Sequence, residues 1–281
     1  MRLFILIIII MAALGTASAQ PSRNFKSMEE ALQQPDSVQW LTLRDNNLDV
    51  FPKEILTLKN LKYLDLSKNR IRQLPPDIGA LVNLYYIDLS GNQIRELPPA
   101  FANLKALRNL YIDYNGGQNL EQEFEILATL PNLNVLDIAG DSIRTLPPSI
   151  GKLSSLQYLE LSYNQIEVLP AEFSNLKKLK ILAINGDNKF DLAKNIAVLS
   201  KLPRLKELHL ESDGLTEIPP SIKTLRALES LYLNDNNIRV VPKELQEMRN
   251  LNHIDMGHRR LPPIHGIHYD DEYAPRKAFK F

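Results

Sequence analysis

The sequence has no cysteine among its 281 residues, so disulfides, thiolate zinc sites and cysteine nucleophiles are excluded. It has no excess of either charge, because 33 Lys and Arg balance 33 Asp and Glu, and this balance gives no support to nucleic-acid binding. It also lacks any Asn-x-Ser/Thr acceptor for N-glycosylation. The apolar content of 44% is ordinary for a folded soluble chain and argues against disorder or a polytopic membrane protein.

Residues 1–19 have the pattern of a secretory signal peptide. Arg2 precedes an apolar run over residues 3–14, and small residues end at Ala19. Twelve residues reach about 18 Å as a helix, well short of the ~30 Å bilayer core, so we expect cleavage after Ala19 and no membrane span afterwards. The sequence therefore predicts an exported protein, periplasmic or extracellular, and the lack of both cysteine and sequons favours bacterial export.

A period of 23 residues dominates the chain from residue 38 to residue 263. Most repeats are 23 residues long, two are 26, and the last is partial. The ten repeats begin at Val38, Leu61, Leu84, Leu107, Leu133, Leu156, Leu179, Leu205, Leu228 and Leu251.

Each repeat divides into a short strand, a turn and an outer segment. In residues 61–83, Leu64 and Leu66 alternate as one buried face of a strand, and a Leu-Pro-Pro step precedes a short helix that directs Ile78 inward. The 26-residue repeats lose the Leu-Pro step and are long enough for an outer α-helix. The ninth position is usually Asn, whose amide can satisfy the backbone of neighbouring turns. This predicted structural ladder comprises Asn46, Asn69, Asn92, Asn115, Asn164 and Asn236, and we expect it to be weaker where Asp141, Asp187 and Asp213 replace Asn.

The pattern LxxLxLxxNxLxxLPxxIxxLxx resembles the leucine-rich repeat family, in its 23-residue type seen in Ras-suppressor-like, plant intracellular Ras-group and exported bacterial proteins. The resemblance implies an α/β fold, a right-handed solenoid (horseshoe) of about ten repeats. Its parallel sheet would form the concave face, with short helices and turns on the convex face. The family consists of binding scaffolds with many partners, so the resemblance does not name a ligand.

The ends of such a solenoid must be covered, because each repeat buries its apolar face only against its neighbours. Residues 20–37 form the predicted N-terminal segment, in which Ser27 and Glu30 make a capping-box pattern for a cap helix over residues 24–37. Residues 264–281 carry several apolar side chains and form the predicted C-terminal cap or tail.

Tyrosines and acids are concentrated at the strand positions that we expect to face the concave side. Over the second, third, fifth, seventh and eighth positions, 11 acids oppose 6 Lys or Arg. Aromatic rings supply rigid contact area, and the acids would attract a basic segment of a protein partner. The predicted partner-binding residues are Trp40, Tyr63, Asp65, Tyr86, Asp88, Tyr111, Asp113, Tyr114, Asp137, Tyr158, Glu160, Tyr163, His209 and Tyr232.

Three other functions remain open from the sequence. The same aromatic face could bind carbohydrate or cell wall by stacking on sugar rings. The C-terminal segment with His265, His268 and nearby acids offers ligands for a divalent metal, although a capping tail explains it as well. Catalysis is disfavoured, because carboxylates one strand apart form a ladder and not a pocket that raises the pKa of one acid. We therefore expect a monomeric, non-enzymatic scaffold without a cofactor.

Overall fold

The chain forms one parallel sheet whose strands follow the order of the sequence. A computed structural model describes residues 23–117 and 119–257, together with the backbone of residues 268 and 269. The predicted signal peptide and most of the predicted C-terminal tail lie outside the described residues. The sheet contains β1 (Asn24–Phe25), β2 (Trp40–Thr42), β3 (Tyr63–Asp65), β4 (Tyr86–Asp88), β5 (Asn109–Tyr111), β6 (Val135–Asp137), β7 (Tyr158–Glu160), β8 (Ile181–Ala183), β9 (Glu207–His209), β10 (Ser230–Tyr232), β11 (His253–Asp255) and β12 (His268–Tyr269).

Strands β2–β11 each occupy the third to fifth positions of one repeat. Equivalent residues of successive repeats are paired directly, as Trp40 with Tyr63 and Tyr63 with Tyr86. The central residue of each strand points to the interior; Leu41 and Leu64 are fully buried. The 23-residue period therefore appears in space as a solenoid with its sheet on the concave side.

The interior is a single apolar core that runs the length of the solenoid. Leu61, Leu64 and Leu66 of one repeat are at most 1% exposed, and Ile78 closes the same repeat from the convex side. Each repeat supplies only one layer of this core, so its stability depends on the layers above and below.

The convex side differs between short and long repeats. The 23-residue repeats form five-residue 3-10 helices, such as Pro76–Ala80, closed by a bond from the Leu81 N–H to the Ile78 carbonyl at 3.1 Å. The 26-residue repeats form the predicted α-helices, α2 (Leu120–Leu127) and α3 (Leu192–Leu199). Three extra residues in a repeat thus replace a short 3-10 helix by an α-helix of about two turns.

The N-terminal cap is a strand followed by a short helix. Helix α1 spans Met28–Gln33, and the Ser27 hydroxyl accepts a bond from the Glu30 N–H at 3.2 Å. The expected helix over residues 24–37 is shorter than predicted, because Asn24–Phe25 extends the sheet as β1 and buries the Phe25 ring. This strand covers the edge of β2.

The ninth-position asparagines bridge adjacent repeats. The Asn164 carbonyl oxygen accepts from the backbone N–H groups of Asp141 and Ile143 at 3.1 and 2.9 Å. Its amide donates to the carbonyls of Ile138 and Leu161 at 3.1 and 2.7 Å. Asn69, Asn92, Asn115 and Asn236 bridge in the same way. Asn46, in the first repeat, is exposed and makes one 3.4 Å bond to the Arg44 carbonyl.

The three aspartates at this position lack half of those bonds. One carboxyl oxygen accepts from backbone, as Asp213 Oδ1 does from the Asp187 N–H at 2.7 Å. The second oxygen, which occupies the place of the amide nitrogen, has no hydrogen-bond partner in Asp141, Asp187 or Asp213. Burial, the largest cause, raises the pKa of Asp141 and of Asp187 to about 6 and the pKa of Asp213 to about 8.

Candidate partner-binding surface

The concave surface is built by the alternation of side chains along β2–β11. Because the middle residue of each strand points inward, the residues on either side of it point to the concave face. These residues form two columns, the third and the fifth positions, in register from strand to strand. The sequence-predicted residues of both columns therefore share one surface.

Four aromatic side chains form a continuous row across β2–β5, here called the aromatic row: Trp40, Tyr63, Tyr86 and Tyr111. Ring centroids are 4.9 Å apart from Trp40 to Tyr63 and 4.2 Å apart from Tyr63 to Tyr86, with interplanar angles of 14° and 12°. Tyr86 and Tyr111 are tilted by 39° at 5.3 Å. Tyr63 is thus stacked on both of its faces, and Trp40 is stacked on one.

Stacking buries the aromatic row without placing it in the core. Tyr86 and Tyr111 are only 5% and 3% exposed, yet they form a cluster with Val135 that is separate from the apolar interior. Trp40 and Tyr63 are half-buried. Of the aromatic row, Trp40 and Tyr63 therefore remain partly accessible, whereas Tyr86, including its hydroxyl group, and Tyr111 are buried.

Acidic side chains lie beside the aromatic rings in the fifth-position column and at Asp113. Asp65, Asp88 and Asp137 are buried. Burial, then the neighbouring Asp65, raises the pKa of Asp88 to about 7. Burial raises the pKa of Asp113 to about 6, and it raises the pKa of Asp137 well above the ordinary range, with Asp113 and Glu160 adding to the effect.

These values correct the expectation that a ladder of carboxylates keeps ordinary pKa values. Stacked rings exclude water from the column, and carboxylates on adjacent strands repel one another, so ionisation is disfavoured at several of them. At neutral pH the column carries less negative charge than its count of acids suggests.

Tyr158 and two further tyrosines occupy the middle of the surface. The Tyr158 hydroxyl donates to Glu160 Oε2 at 2.6 Å. Tyr114 and Tyr163, at the eighth position of their repeats, are 53% and 60% exposed. They differ in this respect from the aromatic row, whose rings cover one another.

The C-terminal part of the surface centres on His209. Its ring stacks on Tyr232 with centroids 4.1 Å apart, and it lies 3.8 Å from a Glu207 oxygen and 3.7 Å from a Glu211 oxygen. Burial lowers the pKa of His209, but the two glutamates together raise it above its ordinary value. Neither glutamate is among the predicted partner-binding residues, although acids two residues either side of a strand His necessarily share its face.

Neither a metal centre nor a membrane-crossing helix is present in the part of the chain that the structure describes. The segment with His265 and the neighbouring acids, predicted as a possible metal site, lies outside the described residues apart from the backbone of His268.

Comparisons with known proteins agree with this architecture. The family described as "Leucine-rich repeat region" matches residues 38–134 and 116–202, and "Leucine rich repeat" matches residues 203–261. An internalin from Listeria monocytogenes superposes with a TM-score of 0.66 at 19% identity, covering 89% of this chain and 72% of the internalin. Internalin C2 from the same organism gives 0.53 at 23% identity, covering 79% and 82%. No protein of curated function matches the sequence.

Proposed function

Because the chain belongs to the leucine-rich repeat family, we propose that it is an exported, non-enzymatic scaffold that holds a protein partner on its concave face. The observation that carries this proposal is the aromatic row. Four rings span four adjacent strands, and large aromatic groups dominate the binding energy of protein interfaces. Ten strands at ~4.8 Å spacing extend over about 45 Å, enough for a standard interface.

Stacking within the aromatic row favours protein over carbohydrate as the ligand. Binding of sugars by aromatic residues requires a free ring face, whereas Tyr63 is covered on both sides by Trp40 and Tyr86. The accessible edges of Trp40 and Tyr63 suit the hydrogen bonds and apolar contacts of a polypeptide. Carbohydrate binding is therefore the alternative function, and the experiment below distinguishes it from protein binding.

Export is the second part of the proposal, and it rests on residues 1–19. The arginine, the twelve-residue apolar run and the small residues before position 20 support cleavage by a signal peptidase. We expect a periplasmic or extracellular monomer whose mature chain begins at Gln20. N-terminal sequencing of the protein from its host, with sedimentation of the mature chain, tests both points.

The binding face is tested by a triple substitution of half-buried rings. Trp40→Ala, Tyr63→Ala and Tyr158→Ala together remove contact area while leaving the two buried tyrosines of the aromatic row in place. The partner is identified by capture from the host envelope and then purified for titration. We expect the triple variant to lose at least 100-fold in affinity, since each lost hot-spot ring costs about 2 kcal/mol.

The matched control is the pair Val50→Ala and Val82→Ala. Both valines are exposed, at 74% and 54%, outside the strands. This variant is expected to bind like the wild type. Equal binding by the triple variant, with an unchanged circular dichroism spectrum, would show that the concave face is not the binding site. Capture of a glycan with no protein partner would favour the carbohydrate function instead.

A further inference from the structure

Tyr114 and Tyr163 are exposed aromatic residues of the concave face that are not part of the stacked aromatic row. Both have a left-handed backbone, with φ of 54° and 60°. The backbone at the eighth position is left-handed in all the described repeats. In three of them the residue is glycine: Gly91, Gly140 and Gly186. A bulky tyrosine rarely adopts this conformation, so its presence at two such positions calls for an explanation.

Each of these rings lies against a glycine of the following repeat. A Cβ built on Gly140 would come within 2.3 Å of Tyr114 Cε1, and one built on Gly186 within 2.7 Å of Tyr163 Cδ1. The rings therefore occupy the space of the missing side chains and rest on backbone. One face of each ring is covered in this way, and the opposite face remains with solvent.

The two rings are close enough to act on one ligand. They belong to repeats two strands apart, which corresponds to about 10 Å at ~4.8 Å per strand. The pKa of Tyr114 is raised by burial, then by Tyr163 and by Asp113, Asp137 and Glu160. Rings and carboxylates therefore share one electrostatic neighbourhood.

Acids dominate the centre of this neighbourhood, and the nearest concave bases, Arg108 and Lys180, lie at the second position along its edge. In the four repeats that begin at residues 107, 133, 156 and 179, the third, fifth, seventh and eighth positions hold three acids and no Lys or Arg. Groups facing Asp113 and Asp137 from the adjoining strands and turns are Asp88, Tyr111, Asp141, Tyr158 and Glu160. All of them are neutral or negative, so a cationic group of a ligand would be complementary to them.

We propose that the open faces of Tyr114 and Tyr163, together with the half-buried carboxylate of Glu160 and the negative charge of the buried Asp113 and Asp137, bind an arginine-containing segment of the protein partner. This inference rests on the proposed function and assigns the chemistry of the partner. A guanidinium group stacks on a tyrosine face and pairs with a carboxylate at the same time. The occupant is thus a basic polypeptide segment.

Binding of such a segment would release protons. In the free protein, burial raises the pKa of Asp113 to about 6 and the pKa of Asp137 well above its ordinary range, and a guanidinium beside them stabilises their ionised forms. Affinity should therefore rise with pH between 5.5 and 7.5. The direction is opposite to that of a site that needs a protonated histidine.

The probe is a short Gly-Arg-Gly-Arg-Gly peptide with blocked ends, compared with the same peptide containing citrulline. Citrulline keeps the shape of arginine and removes its charge. Isothermal titration of the protein purified after export should show binding of the arginine peptide only, with proton release in buffers of different ionisation enthalpy. Binding of both peptides with equal affinity would overturn the proposal.

The ring faces are tested by Tyr114→Leu combined with Tyr163→Leu, which keeps apolar bulk and removes the aromatic face. Affinity for the arginine peptide should fall about tenfold. Asp137→Asn should reduce both affinity and proton release. The matched control is Tyr85→Leu, at a half-buried tyrosine whose charged neighbour is Arg108, and we expect it to bind as the wild type does.

Failure of this inference is distinguishable from failure of the proposed function. If the wild type does not bind the arginine peptide, or if the double Leu variant binds it unchanged, the arginine site is wrong. The captured partner's dependence on Trp40, Tyr63 and Tyr158 would still establish the concave face. If instead that triple substitution leaves partner binding unchanged, the proposed function itself fails.

Discussion

Replacing Asp213 by Asn should stabilise the protein strongly at neutral pH. Asp213 is 2% exposed and stands where five other repeats have a bridging asparagine. Its Oδ1 accepts from the Asp187 N–H, but its Oδ2 has no partner. An amide in that place would keep the accepted bond and supply the missing donor.

The magnitude follows from the raised pKa. Burial raises the pKa of Asp213 from 3.8 to about 8, with the neighbouring Asp187 and Glu211 adding to the shift. At pH 7 the folded chain retains a proton that the unfolded chain has released, and at ~1.4 kcal/mol per pH unit this costs on the order of 4 kcal/mol. The contribution of Asp213 to the free energy of unfolding is therefore fully present below pH 4 and is lost as the pH rises toward 8.

The assay is equilibrium urea unfolding of wild type and Asp213→Asn at pH 4 and pH 7. We expect the variant to gain about 5 kcal/mol at pH 7, the sum of the ~4 kcal/mol protonation cost and ~1 kcal/mol from new hydrogen bonds. At pH 4 we expect a gain of only about 1.5 kcal/mol, because the unfolded aspartate is then nearly half protonated and most of the protonation cost is gone. The exposed Asp77→Asn is the matched control and should change stability by less than ~0.5 kcal/mol. A gain that does not depend on pH, or no gain, would refute the reasoning.

Two further predictions concern the repeat itself. Asn164→Ala removes hydrogen bonds to five backbone groups and should cost about 3 kcal/mol or more, whereas Asn46→Ala, at an exposed residue with one long bond, should cost under ~0.5 kcal/mol. Thermal unfolding compares the two variants, and equal losses would contradict the ladder. Gly140→Ala forces a Cβ into the Tyr114 ring and should lower the free energy of unfolding by more than Gly116→Ala does. The Cβ of Gly116→Ala meets nothing within 4 Å, so that variant loses only the ~1 kcal/mol cost of a left-handed backbone. A similar loss in both variants would show that Tyr114 does not pack on Gly140.

The sequence predicts the repeat architecture almost completely. Leucine spacing alone places ten strands at the third to fifth positions, because each apolar layer must stack on the next. Two longer repeats correctly predict α2 and α3. The strand before the cap helix was not foreseen, since the two residues of β1 are too few to show any alternation.

The electrostatic properties of the face could not be predicted in the same way. A count of acids treats Asp88 and Glu172 as equal, although the first is buried beside stacked rings and the second is exposed. Desolvation depends on neighbours that are 23 residues away in sequence. The sequence contains one weak indication of the exposed tyrosines. The eighth position of the repeat is often Gly, so Tyr114 and Tyr163 are unusual residues there.

Hydrogen–deuterium exchange on the complex with the identified partner tests the central claim most directly. If the concave face binds the partner, peptides covering residues 40–42, 63–65, 86–88 and 109–111 should exchange more slowly in the complex, and the outer helices over residues 120–127 and 192–199 should be unchanged. Protection confined to the outer helices, with no change in the strands, would contradict the claim.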